Sequence, residues 1–201
     1  MKKALIMVAT LLSLAACGSK TQQTQQTEEP MNKDFLTLAT ERYSVRHFSD
    51  TPVEQEKIDL IIEAGRVAPT AVNSQPQKIY VAKSPEVMAK LNKVSPCMYG
   101  AQQCFIMCYN DDTVCKRGEN GNYGEIDATI VLTHMMLQAA ELGIGTCMVG
   151  YFKPDELCRE LNLPETIHPV LLMPFGYAAE DAAPSPKHTE YRPVEETVEV
   201  I

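Results

Sequence analysis

Residues 123–152 read YGEIDATIVLTHMMLQAAELGIGTCMVGYF. From about Gly124 to Leu142, Ile126, Ile130, Thr133, Leu137 and Ala140 recur at steps of four, three, four and three, and so form one continuous helical face. This spacing predicts the longest helix of the chain. Gly143 stands where a C′ glycine would end it. Gly143, Gly145 and Gly150 then lie close together, and glycine lets backbone approach another group closely. The run follows a helix instead of opening one, so it is not a GxGxxG phosphate loop.

Working outward, Thr51-Pro52-Val53-Glu54 combines a capping residue, a proline at the first helical position and a glutamate three residues after the cap. It predicts a helix to about Val67 that buries Ile58, Ile61, Ile62 and Ala64. Ser84-Pro85-Glu86 opens a shorter helix through Leu91, Pro154-Asp155-Glu156 starts another near Leu157, and Asp34 to Arg42 is expected to be helical. Lys78 to Ala82, Cys104 to Tyr109 and Val170 to Tyr177 are short, apolar and bounded by breakers, as strands are. Helices and strands interleave without an internal repeat, which makes the expected class a mixed α+β domain.

The chain has 201 residues, enough for one domain of ordinary size. Its formal charge of −8 opposes binding to a phosphate backbone, so no nucleic-acid partner is expected. Lys2 and Lys3 precede an uncharged run from Ala4 to Ala16, which is too short to span a bilayer and suits a signal segment. Leu14-Ala15-Ala16-Cys17-Gly18 resembles a bacterial lipobox, in which Cys17 is lipidated and becomes the first mature residue. An ordinary cleaved secretory signal is the alternative. Ser19 to Glu29 offers no apolar side chain to bury and reads as a solvated tether. The expected organisation is a signal over 1–16, a tether over 17–30 and a folded domain over 31–201. The protein would then sit in the cell envelope, lipid-anchored on the periplasmic or outer-membrane side, or in the cytoplasm if the lipobox reading fails. Six further cysteines lack CxxC spacing and the histidines at 47, 134, 168 and 188 are scattered. The cysteines therefore read as mostly buried thiols with no metal site, the alternative being one bridge formed in an oxidising compartment.

Four segments carry chemistry. Arg42-Tyr43-Ser44-Val45-Arg46 would, if extended, place Arg42, Ser44 and Arg46 on one face. Two guanidiniums and a hydroxyl suit a phosphate or another anion. Ala68 to Pro76 (APTAVNSQP) is a polar loop between a helix and a strand. The glycine run ending at Gly150 is the third segment, and Arg192-Pro193 the fourth. Nothing among them looks like a nucleophile–base pair.

In this order, ERYSVRHFSDTPV (41–53), APTAVNSQPQ (68–77), the 123–152 stretch and YRPVEE (191–196) resemble the FMN-dependent nitroreductase family, over essentially all of 31–201. The resemblance implies an α+β fold with a central, mostly antiparallel sheet flanked by helices, built as an intertwined homodimer with FMN at the interface. It implies that Arg42 and Arg192 meet the FMN phosphate, Ser44 the phosphate end and Arg46 the pyrimidine edge of the flavin. Pro69, Thr70 and Asn73 would come from the partner chain. Met148, Val149 and Gly150 would line the other side, with a backbone N–H near flavin N5, and Tyr43 and Gln75 complete the expected cofactor-binding set. No side chain is expected to be catalytic, because flavin N5 carries the chemistry. Gln77 and Met148 stand where many relatives have tryptophan, and His188 and Glu190 where a second basic residue often accompanies the C-terminal arginine.

The activity implied is reduction of nitro compounds, quinones or similar electrophiles by ping-pong hydride transfer from NAD(P)H. The alternatives are another reductive chemistry on the same fold, of dehalogenase or enone reductase type, or an anchored module that retains flavin without turnover. NAD(P)H is scarce outside the cytoplasm, so an envelope location would call for another electron donor.

Overall fold

The computed structural model describes residues 34–201. The signal, the tether and Cys17 lie outside the described residues. Helix α1 (Phe35–Glu41) is capped by Asp34, whose carboxylate accepts from the Thr37 amide at 3.1 Å and the Thr37 hydroxyl at 2.6 Å. Helix α2 (Gln55–Arg66) begins later than the Thr51 signal predicts. The Val53 amide instead donates to the buried Gln103 Oε1 at 2.9 Å, and the Tyr177 hydroxyl donates to Glu54 at 2.7 Å. These long-range bonds hold residues 51–54 outside the helix, and Glu54 becomes the N-cap.

Strand β1 (Gln77–Ala82) is followed by α3 (Pro85–Val94), capped as expected by Ser84. Strand β2 (Gln103–Asn110), α4 (Gly124–Glu141), β3 (Gly145–Thr146), α5 (Pro154–Leu161), β4 (Ile167–Gly176) and the single turn α6 (Val194–Thr197) complete the chain. The sheet order is β1-β2-β4-β3, and each neighbouring pair is antiparallel. The expected α+β class, with an antiparallel sheet between helices, is met. The two-residue β3 went unread in the glycine run.

Strand β2 is covered on both faces, and its period-2 alternation separates two cores. Phe105 and Met107 join Ile58, Ile61, Val131, Leu132 and Met135 under α2 and α4. Cys104, Ile106 and Cys108 join Met88, Leu91 and Leu157 under α3 and α5. Phe105 stacks on Phe175 with ring centroids 4.2 Å apart. Burying one such side chain contributes about 1.5–3 kcal/mol.

Helix α4 turns a different face to the core from the one its periodicity marks. The face that enters the core is Asp127, Ala128, Val131, Leu132, Met135 and Ala139. The periodic face Ile126, Ile130, Thr133, Leu137 and Ala140 is only half-buried or exposed, with Ile126 at 45%. The helix ends as Gly143 predicts. Its amide bonds the Ala140 carbonyl at 3.1 Å, and the Ile144 amide bonds the Ala139 carbonyl at 2.8 Å, with Gly143 at φ 73°. All six cysteines among the described residues are unpaired.

Candidate functional site

Helix α1 stops because Arg42 turns to extended backbone at φ −62° and ψ 138°. The next residues run beside β3. Ser44 bridges Thr146 in parallel, and the Val45 amide donates to the Thr146 carbonyl at 2.9 Å. Val45 is buried, which turns its neighbours at 44 and 46 the other way. Arg42, Tyr43, Ser44 and Arg46 line one cleft of about 340 Å³, as the row of donors predicts. Ser185, Lys187 and His188 close it from a single helical turn, Pro186–Thr189, and His188 meets the Tyr43 ring edge-on at 6.3 Å. Sequence reasoning did not place Ser185 and Lys187 at this cleft. No local pattern brings residue 187 back to residue 42; only the fold does.

The cleft is strongly cationic. Its lining holds no carboxylate, and Arg42 and Lys187 form no ion pair among the described residues. Arg46 donates to the Ser44 carbonyl at 3.3 Å. Burial pushes the neighbouring Cys147 thiol up, while the Arg46 charge and the Ser44 hydroxyl pull against that shift. The Tyr99 phenol is raised by its hydrogen bond with Cys97 and by burial, again opposed by Arg46. A mixed polar and apolar pocket of about 300 Å³, whose lining includes Glu41, adjoins the cleft and shares Arg42 and Tyr43 with it.

Met148, Val149 and Gly150 follow β3. Val149 is buried and exchanges two backbone bonds with Leu172, at 2.8 and 3.0 Å, while Met148 is half-buried and Gly150 exposed. Pro69, Thr70, Asn73 and Gln75 occupy the loop after α2, and none of them lines the cleft of its own protomer. Arg192 is exposed and does not line it either. The structure therefore brings together four of the expected cofactor residues and leaves the loop residues and Arg192 apart from them.

The donor set fits a terminal phosphate. Residues carrying two guanidiniums, an ammonium and three hydroxyls line one cleft, and charge-assisted bonds of this kind are the strong ones.

The fold and cleft define an α+β protein with a cationic cleft beside β3. The nitroreductase family model matches residues 39–98 and 94–177. The chain belongs to the nitroreductase family. It is similar to the crystal structure of a nitroreductase family protein from Clostridium difficile 630, with 36% identity and a TM-score of 0.78 over 83% of this chain and 98% of that one. It is 28% identical to the FMN reductase [NAD(P)H] of Bacillus subtilis over 78% of this chain and 70% of that protein. It is 29% identical to the NADPH-dependent oxidoreductase of Staphylococcus saprophyticus, again over 78% of this chain and 70% of that one.

Proposed function

We propose that this protein is an FMN-dependent oxidoreductase that uses NAD(P)H to reduce nitro compounds, quinones or similar small electrophiles, and that it works as a homodimer. Family membership and the relatives' names, FMN reductase [NAD(P)H] and NADPH-dependent oxidoreductase, support the coarse part of this reading. The observation that carries the cofactor is the cationic cleft, formed in a chain of net charge −8. Bound FMN supplies a planar centre that takes up reducing equivalents from the donor and yields them to the acceptor. Arg42 and Lys187 hold its phosphate. Arg46, held by the Ser44 carbonyl, offsets negative charge gained on reduction without having to reorganise. The Val149–Leu172 pair fixes the backbone of the 148–150 segment. Donor and acceptor use the site in turn.

The dimer is supported by the exposed loop of Pro69, Asn73 and Gln75, which lies away from its own cleft, and by the partly open outer face of α4. An obligate interface of this kind should bury more than roughly 2,000 Å². Light scattering should report two chains, and a flavin-loaded monomer would reject that part. For the enzyme, an absorption spectrum of the purified protein should show flavin, and NADH with a nitroarene under argon should turn over. Flavin bound without turnover would leave a binding module, and no flavin at all would overturn the reading. The Leu14–Gly18 pattern supports a further proposal, that Cys17 anchors the protein in the cell envelope.

A further inference from the structure

Asp127 is an ionisable residue in the first turn of α4, yet it is 1% exposed and faces the core with Val131 and Met135. Burying a carboxylate is costly unless it is bonded. Its Oδ1 accepts from the Ala71 amide at 2.9 Å, across 56 residues of sequence, and its Oδ2 is buried with no partner among the described residues. An apolar side chain of the same size would pack there at less cost. What the carboxylate supplies is a fixed point for the loop above it.

That loop needs one. Val72, Asn73 and Gln75 take φ values of 47°, 57° and 47°, left-handed backbone that is rare outside glycine and least comfortable for a β-branched valine. Inside the loop, the Asn73 amide bonds the Thr70 carbonyl and the Gln75 amide bonds Thr70 Oγ1, both at 3.0 Å. The Ser74 hydroxyl and Gln77 Oε1 are buried without partners among the described residues. The Asp127–Ala71 bond joins this strained loop to the rigid core.

We propose that Asp127 is a positioning residue: its buried carboxylate holds the 69–75 loop in the left-handed shape that presents Thr70 and Asn73 to the cofactor. This rests on the reading that the loop faces FMN. Asp127 does not touch the cofactor and acts through the Ala71 amide.

Hydrogen exchange and an FMN titration on the full-length protein test it. In Asp127→Ala, amides 70–75 should exchange about tenfold faster while those of Cys104 to Met107 in β2 keep their native protection, and the FMN Kd should rise about tenfold. Asp127→Asn keeps an acceptor oxygen and should recover most of both. Native loop exchange, or an unchanged FMN Kd, in a folded Asp127→Ala protein would overturn the proposal. If Asp127→Ala does not fold, Asp127→Asn decides, because its weaker neutral acceptor should still raise loop exchange measurably above wild type. Loss of β2 protection in both variants would also overturn it, since Asp127 would then serve the whole fold. A wild-type chain that binds no FMN would overturn the functional reading instead, and the exchange comparison would still judge the loop.

Discussion

Ser44 and Thr146 face each other as a parallel bridge, and the Val45 amide between Ser44 and Arg46 donates to the Thr146 carbonyl at 2.9 Å. The basic row is thus hung on β3, and β3 admits it only because residue 145 is glycine. A Cβ at Gly145 would lie 2.6 Å from Val45 Cγ2. Gly145→Val should therefore destabilise by about 1–3 kcal/mol and displace the row. Thermal melts and bound-flavin absorbance should both fall. Gly150→Ala, whose Cβ would meet nothing closer than Leu171 Cδ2 at 3.7 Å, should keep the native Tm.

Arg42→Ala and Lys187→Ala should each weaken FMN binding, because a hydrogen bond to a charged group is worth about 1.5–3 kcal/mol. Flavin fluorescence titration measures it. The double variant should lose the flavin on gel filtration, and full occupancy there would reject the phosphate assignment.

Arg46→Gln separates binding from chemistry. The charge that Arg46 offsets appears only on reduction, so anaerobic stopped-flow reduction by NADH should slow on the order of 10²-fold while the FMN Kd moves far less. Parallel initial-rate plots in the wild type should accompany this, as a shared donor and acceptor site requires.

Burial pushes the Cys108 thiol up to about 12, and it pushes Cys104 up as well. A thiol raised in the folded state stabilises the protein fully below its unfolded value, near 8.5. That contribution is lost as the pH climbs toward the folded value, because only the unfolded chain can then ionise. Urea midpoints should accordingly fall between about pH 8.5 and 12. In the native protein at pH 8, iodoacetamide should modify the half-buried Cys97 and Cys115 well before Cys104 or Cys108.

The anchor proposal has a direct assay. Wild-type protein should fractionate with membranes, and Cys17→Ala should either release it or leave it unprocessed. Wild-type protein found wholly in the cytosol would refute the anchor.

Local signals read well wherever the physics is local. Ser84 and Asp34 cap their helices, Gly143 ends α4, and the short apolar run from Cys104 to Tyr109 is a strand. The misses share one cause. The start of α2 is set by Gln103, fifty residues away from Val53. Lys187 joins the cleft only through the tertiary fold, and β3 is too short to show a period. On α4 the spacing marks one continuous face, and no sequence rule says whether that face or another meets the core of its own chain.

That two-sidedness of α4 has a thermodynamic consequence. Its inner side is complete within one chain, while Ile126 is exposed and Thr133 and Leu137 are only half-buried. On the dimeric reading, the covering copy also brings the loop of Thr70 and Asn73, so subunit association and cofactor retention are one linked equilibrium. Dilution should then expel FMN, excess FMN should draw monomers together, and the melting midpoint should climb with protein concentration as mass action requires.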